Sequence, residues 1–199
     1  MTLLPRTAHI ALAFALSACS LGGMLGGGKP PTTLVTLTPE APEPAQIVRT
    51  AAAGQAVTVA VPTAGRALGT VRVPVQATPT DVQYVANLQL VDTPARLFQG
   101  LLSETLRRTT NRVVLDPSQT TLDPGLTVTG ALQRFGYDAA TGQVIVQYDG
   151  SLSVAGSNRV ETRRFTATAP ADGTSATVGP ALNRAANQIA QQVAQWIGG

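Results

Sequence analysis

From Gln143 to Ala155 the chain alternates. Val144, Val146, Tyr148, Leu152 and Val154 fall on one side, and Gln143, Gln147, Asp149, Ser151 and Ser153 on the other. A strand of period two has one dry face and one wet face, and the dry face must be covered by something apolar. The end of the chain supplies a cover. Between Thr177 and Ile197, Val178, Leu182, Ala186, Ile189, Val193 and Trp196 recur at steps of three and four, predicting an amphipathic helix closed by Gly198-Gly199.

The neighbouring segments fit that plan. Leu126 to Tyr137 and Arg159 to Ala167 read as long strands flanking the alternating one, joined to it through 138–142 and 156–158, short glycine-containing turns. Val57 to Val61, Val71 to Gln76, Val82 to Leu90 and Val113 to Leu115 read as further strands, and Pro74 places the second of these at an edge. A first helix is predicted from Thr93 to Thr109, with Asp92 or Thr93 as cap and Pro94 in its first turn. Phe98, Leu101, Leu102, Thr105 and Leu106 make its apolar face, and Arg107, Arg108 and Arg112 complement its carboxyl end as a solvated cluster, with lipid headgroups as the alternative partner. The expected fold class is α+β, a mostly antiparallel sheet with two amphipathic helices packed on one face.

Composition narrows the chemistry. Charged residues are 13% of the chain and aromatics 4%, and the net charge of +3 is a small surplus rather than a basic patch, which disfavours nucleic-acid binding. There is one cysteine, Cys19, and one histidine, His9, which falls in the amino-terminal segment expected to be removed as a signal, so the mature protein is expected to have no imidazole. Triads built on histidine and nearly all zinc arrangements therefore lack their usual groups, so neither cofactor nor metal is expected. Asp92, Asp149 and Glu161 are scattered over different elements with no partner base. No enzyme is expected.

Near the start, Arg6 precedes an apolar run from Ile10 to Leu16, followed by Leu16-Ser17-Ala18-Cys19. The run is far short of the roughly 20 residues that cross a bilayer, and its flanks are those of a secretory signal. Small residues leading to a cysteine resemble the lipobox of bacterial lipoproteins. That resemblance implies a signal peptide over 1–18 and acylation of Cys19, palmitate included. In the resembled lipoproteins an aspartate after the cysteine favours inner-membrane retention, so with Ser20 there the resemblance implies sorting to the outer membrane, facing the periplasm. Residues 19–56, with Gly22, Gly23, 26–28 and a run of prolines from Pro30 to Pro44, are expected as a Gly/Pro-rich tether ahead of a domain over 57–199. Within that tether Thr33 to Thr38 can form a short strand that pairs with the domain or stays loose. Residues 23–29 spell G-x-x-x-x-G-K, but Pro30 stands where Ser or Thr is required and no helix can follow, so no phosphate loop is expected.

With this order in view the chain from about Val57 resembles the ABC-type transport auxiliary lipoprotein family, which includes lipoprotein partners of MCE-type lipid transport systems. The residues that carry the resemblance are 71–75 (VRVPV), 94–98 (PARLF), 112–116 (RVVLD), 160–165 (VETRRF) and the helix from Gly179-Pro180-Ala181-Leu182-Asn183 to Trp196. Two features common in the family are missing: a tyrosine in the strand after the tether, where Thr32-Thr33-Leu34 stands, and a tryptophan at the start of the first helix, where Phe98 is the nearest large aromatic. The resemblance implies a non-enzymatic auxiliary that helps an ABC permease/ATPase and an MCE-domain protein move lipid across the envelope. The competing reading is a general envelope assembly lipoprotein that binds another protein or a polysaccharide. Phe98 and Trp196 are read as core aromatics.

One surface stands out. The outer face of the last helix carries Asn183, Arg184, Asn187, Gln188, Gln191, Gln192 and Gln195, nearly all uncharged. Amides desolvate more cheaply than charges, so Gln188, Gln191 and Gln195 are candidates for an interface with an MCE protein or a second copy of the chain. The alternative is a low-charge solvent face.

Overall fold

The computed structural model describes residues 34–52, 54–119 and 125–198. Cys19, the signal and most of the expected tether lie outside them. The described elements are β1 (Ala56–Val59), β2 (Thr63–Ala64), β3 (Arg72–Gln76), β4 (Val82–Gln89), α1 (Pro94–Thr109), β5 (Val114–Leu115), β6 (Gly125–Asp138), β7 (Gln143–Val154), β8 (Val160–Pro170) and α2 (Ser175–Gly198).

The alternating run is β7, and it pairs antiparallel with β6 on one side and β8 on the other. The turn at 138–142 forms because the Asp138 carboxylate accepts hydrogen bonds from the main-chain N–H of Ala140 and Thr141, while Gly142 takes a φ of 65°. On β7 the dry side runs through Val144, Val146 and Tyr148, all buried, and fades at Leu152 and Val154 toward the hairpin end. β6 breaks strict alternation: its register shifts between Leu132 and Arg134, so Val128 and Leu132 are followed on the covered side by Phe135.

The other edge of β6 corrects the expectation of a mostly antiparallel sheet. β1, β2 and β3 lie in succession along that edge, all parallel to it, and β5 is parallel to β1. The sheet is mixed, its antiparallel part being the β6–β7–β8 meander and the β3–β4 pair. Parallel partners come from distant parts of the chain, which local patterning does not reveal. Pro74 is likewise not at an edge, since β3 lies between β4 and β6. Its missing N–H is tolerated because the β3–β4 register shifts beside it and the pairing with β6 involves only Val75 and Gln76. In β4, Asn87 adopts a φ of 56°, a conformation that asparagine accepts more readily than most residues, and Val85 and Leu88 on either side of it are both buried.

Both helices bury their predicted faces in one hydrophobic core: Phe98, Leu101, Leu102 and Leu106 from α1, and Val178, Leu182, Ala186, Ile189 and Val193 from α2. Each covered Leu, Val or Phe side chain contributes about 1.5–3 kcal/mol. An aromatic column crosses this layer, from Phe98 to Tyr148 (5.1 Å between ring centroids), Phe165 (6.4 Å) and Trp196 (5.6 Å). The Tyr148 hydroxyl donates to the carbonyl of Thr129 at 2.7 Å, and burial pushes its pKa well above the usual tyrosine value, so it stays protonated. Gly130 and Gly150, paired across β6 and β7, make room for the Tyr148 ring. A Cβ on Gly130 would stand 2.6 Å from it, and one on Gly150 2.9 Å.

A strap and a groove at the carboxyl ends of the helices

The packed domain starts well before residue 57. Val35 bridges to Leu90, its N–H donating to the carbonyl of Gln89 at 2.8 Å and its carbonyl accepting from Val91 at 3.0 Å. From there a strap of residues 35–42 follows α2 in the same direction, passing Gly179, where Val35 lies within contact distance, and burying Leu37 and Ala41. The short strand expected around 33–38 thus pairs with the domain, through a single bridge.

Two side chains of α2 hold the strap by its main chain. Asn183 Oδ1 accepts from the N–H of Thr38 at 2.8 Å. Asn187 Oδ1 accepts from the N–H of Glu40 at 2.8 Å, while its Nδ2 donates to the carbonyl of Thr38 at 2.9 Å. Asn187, expected on the outer face, is only 1% exposed because the strap covers it. The arginines of α1 also differ from a freely solvated cluster. Arg108 donates to the carbonyl of Ala41 at 3.0 Å and pairs with Glu104 at 2.8 Å and Glu43 at 3.5 Å. Arg49, beyond the strap, reaches the carbonyls of Arg107 at 2.5 Å and Arg112 at 3.4 Å, supplying donors where the end of α1 leaves carbonyls without helical partners.

Past Ala41 the strap leaves α2, and a groove of about 990 Å³ opens. The carboxyl ends of the helices meet there, Gly198 lying beside Thr110. One wall is α2 with Gln191, Ala194 and Gln195, another is 109–113 at the end of α1, and the rest comes from 40–42 and from Thr50, Ala51 and Gln55. Amides and hydroxyls alternate with small apolar groups along it, with Glu40 and Arg112 as its charged residues. Of the three glutamines singled out in the sequence, all are exposed, but only Gln191 and Gln195 face the groove, and Gln188 lies outside its lining.

The scattered carboxylates stay apart, each with its own neighbour. Asp92 accepts from the N–H of Thr93 at 2.6 Å. Asp149 is clasped by Arg164 at 2.6 and 2.7 Å, which holds its pKa below the usual carboxylate range, with Gln133 at 3.1 Å. Glu161 accepts from the Trp196 indole at 2.7 Å. Among the described residues no group of three or more His, Cys, Asp or Glu side chains is placed to hold a metal ion, and no helix is long and apolar enough to cross a membrane.

A mixed sheet covered on one face by two helices, with a strap running along one of them, defines an α+β fold, and comparison with known proteins makes the assignment specific. The chain belongs to the family described as the ABC-type transport auxiliary lipoprotein component, whose profile matches residues 36–194, strap included. Its fold is similar to the crystal structure of protein XCC0632 from Xanthomonas campestris, of the family DUF330, with a TM-score of 0.66 and 20% identity over 84% of this chain and 92% of that one. A second crystal structure, of an uncharacterized protein, gives a TM-score of 0.60 and 14% identity over 75% of this chain and 96% of that one. No curated protein matches it.

Proposed function

We propose that the protein is an outer-membrane lipoprotein, anchored through Cys19, that serves without enzymatic activity as the auxiliary of an ABC/MCE-type system moving lipid across the envelope. The observation that carries this reading is the family match from residue 36 onward, standing downstream of the lipobox-like Leu16-Ser17-Ala18-Cys19. The architecture supports a docking role. Among the described residues the first tie to the sheet is at Val35, beside Gly179 of α2, while the groove lies toward the far end of the same helix, about 24 Å away at 1.5 Å per residue. A domain held at one end thus offers its groove and the exposed Gln188, Gln191 and Gln195 at the other, where an MCE-domain protein or the permease is met.

The test is fractionation followed by co-purification. Cys19→Ser should move the protein from outer membranes to a soluble or signal-retaining form, and the lipidated parent should co-purify with the ATPase, permease and MCE-domain proteins. Unchanged fractionation of the mutant would sink the anchor. A parent that never co-purifies with those partners would overturn the transport assignment.

A further inference from the structure

Asn183, Asn187, Gln191 and Gln195 form a single row on α2, each four residues from the next. Such a row runs obliquely along the helix surface, as the strap does. A carboxamide carries both a donor and an acceptor, matching the N–H and C=O of a peptide unit. Asn183 and Asn187 use this match on residues 38–40 of the chain itself. The strap then departs, and Gln191 and Gln195 continue the row along the wall of the groove with their side chains exposed.

We propose that Gln191 and Gln195 hold an extended polypeptide segment of a partner protein, laid main chain first into the groove as a continuation of the strap. The occupied half of the row is the template. The span from Gln191 to Gly198 is about 10 Å, which an extended chain covers in three or four residues. Its walls of amide, hydroxyl and small apolar groups suit a peptide of small, neutral side chains, whereas an acyl chain requires apolar walls. Glu40 and Arg112 balance, so the segment needs no net charge. The identity of the partner as a subunit of the transport system rests on the function proposed above; the mode of binding does not.

The experiment uses the full-length protein against a phage-displayed library of random linear dodecapeptides, with affinities of the selected peptides measured on variants. Parent and Gln188→Met should bind alike. The double variant Gln191→Met/Gln195→Met should bind at least tenfold more weakly, as expected for two lost hydrogen-bonding side chains. N-methylation of adjacent peptide amides should have the same effect, since it removes main-chain donors while keeping the side chains. Ala51→Trp, which fills the groove from the opposite wall, provides a second blocking variant that leaves α2 untouched. Selected peptides that bind the double variant and Ala51→Trp as tightly as the parent, or a selection that enriches nothing, would overturn the proposal. So would a fluorescent phospholipid bound by the parent and lost from both blocked variants, because the groove would then be a lipid site. If the transport proteins co-purify equally with parent and double variant, the groove is not their dock while the auxiliary role stands. If peptides bind as expected but the transport proteins never co-purify, the binding mode stands and the transport assignment falls.

Discussion

Gly130 and Gly150 face each other across β6 and β7, and Tyr148 lays its ring over the space both leave empty. The hydroxyl of that ring then reaches the carbonyl of Thr129, one residue before Gly130. A side chain at either glycine would displace the centre of the aromatic column, on which Phe98 rests from the helix side and Phe165 from the sheet.

Gly150→Ala should therefore destabilise the fold by about 1–3 kcal/mol, the usual range for overpacking. Gly130→Ala should cost more, because its added Cβ would meet the carbonyl oxygen of Asp149 at 2.3 Å, and main chain yields less easily than a ring. Urea unfolding midpoints of the two variants against the parent check both the size and the order. Equal, negligible shifts would show that the column repacks freely.

The strap offers a local prediction. Asn187→Leu keeps the branching of the side chain but removes an acceptor from the Glu40 N–H and a donor from the Thr38 carbonyl, each lost hydrogen bond being worth about 0.5–1.5 kcal/mol. Peeling the strap into water relieves that cost, so the expected outcome is local opening. Hydrogen exchange at the Thr38 and Glu40 amides should accelerate by tenfold or more while β6 and β7 keep their protection. Acceleration throughout the sheet would mean that the strap is integral to global stability.

Acid should loosen the start of α2. Asp172 accepts from the side chains of Thr177 and Thr174 and from the Thr174 N–H, and these bonds lower its pKa to about 2. A carboxylate with a depressed folded pKa stabilises the native state above its unfolded pKa of about 3.9, and that contribution is lost as pH falls toward about 2. Asp172→Ala should thus unfold at lower urea than the parent at pH 7, with the gap closing between about pH 4 and pH 2. A gap that persists at pH 2 would assign the effect to something other than the carboxylate.

The long elements were legible because their periods are local: β7 alternates, and the buried faces of α1 and α2 recur at helical spacing. The strap was not, because it buries little more than Leu37 and Ala41 and is held by amides almost 150 residues away in the chain. For the same reason Asn187, read by helical spacing as an outward amide, is enclosed. The parallel run of β1, β2 and β3 along β6 depends on register between separated segments, and so does the facing of Gly130 with Gly150. Part of the candidate site was visible as a row of uncharged amides on α2, but the distinction between Gln188 and the groove-facing Gln191 and Gln195 required the strap to be in place.

The course of the strap also fixes how the domain carries load. If Cys19 is acylated as proposed, the first main-chain tie to the sheet among the described residues, at Val35, stands 16 residues from it in the sequence rather than the 38 counted to residue 57. A tug from the amino-terminal side meets Val35 first, where two main-chain bonds to Gln89 and Val91 pass it into the sheet. Asn183 and Asn187 come next, and Ala41, held by Arg108, comes last. In the anchored arrangement proposed above, a pull on the chain would thus meet the ties at Val35 and Thr38 before it reached the groove wall at 40–42, where Asn187 and Arg108 add two more.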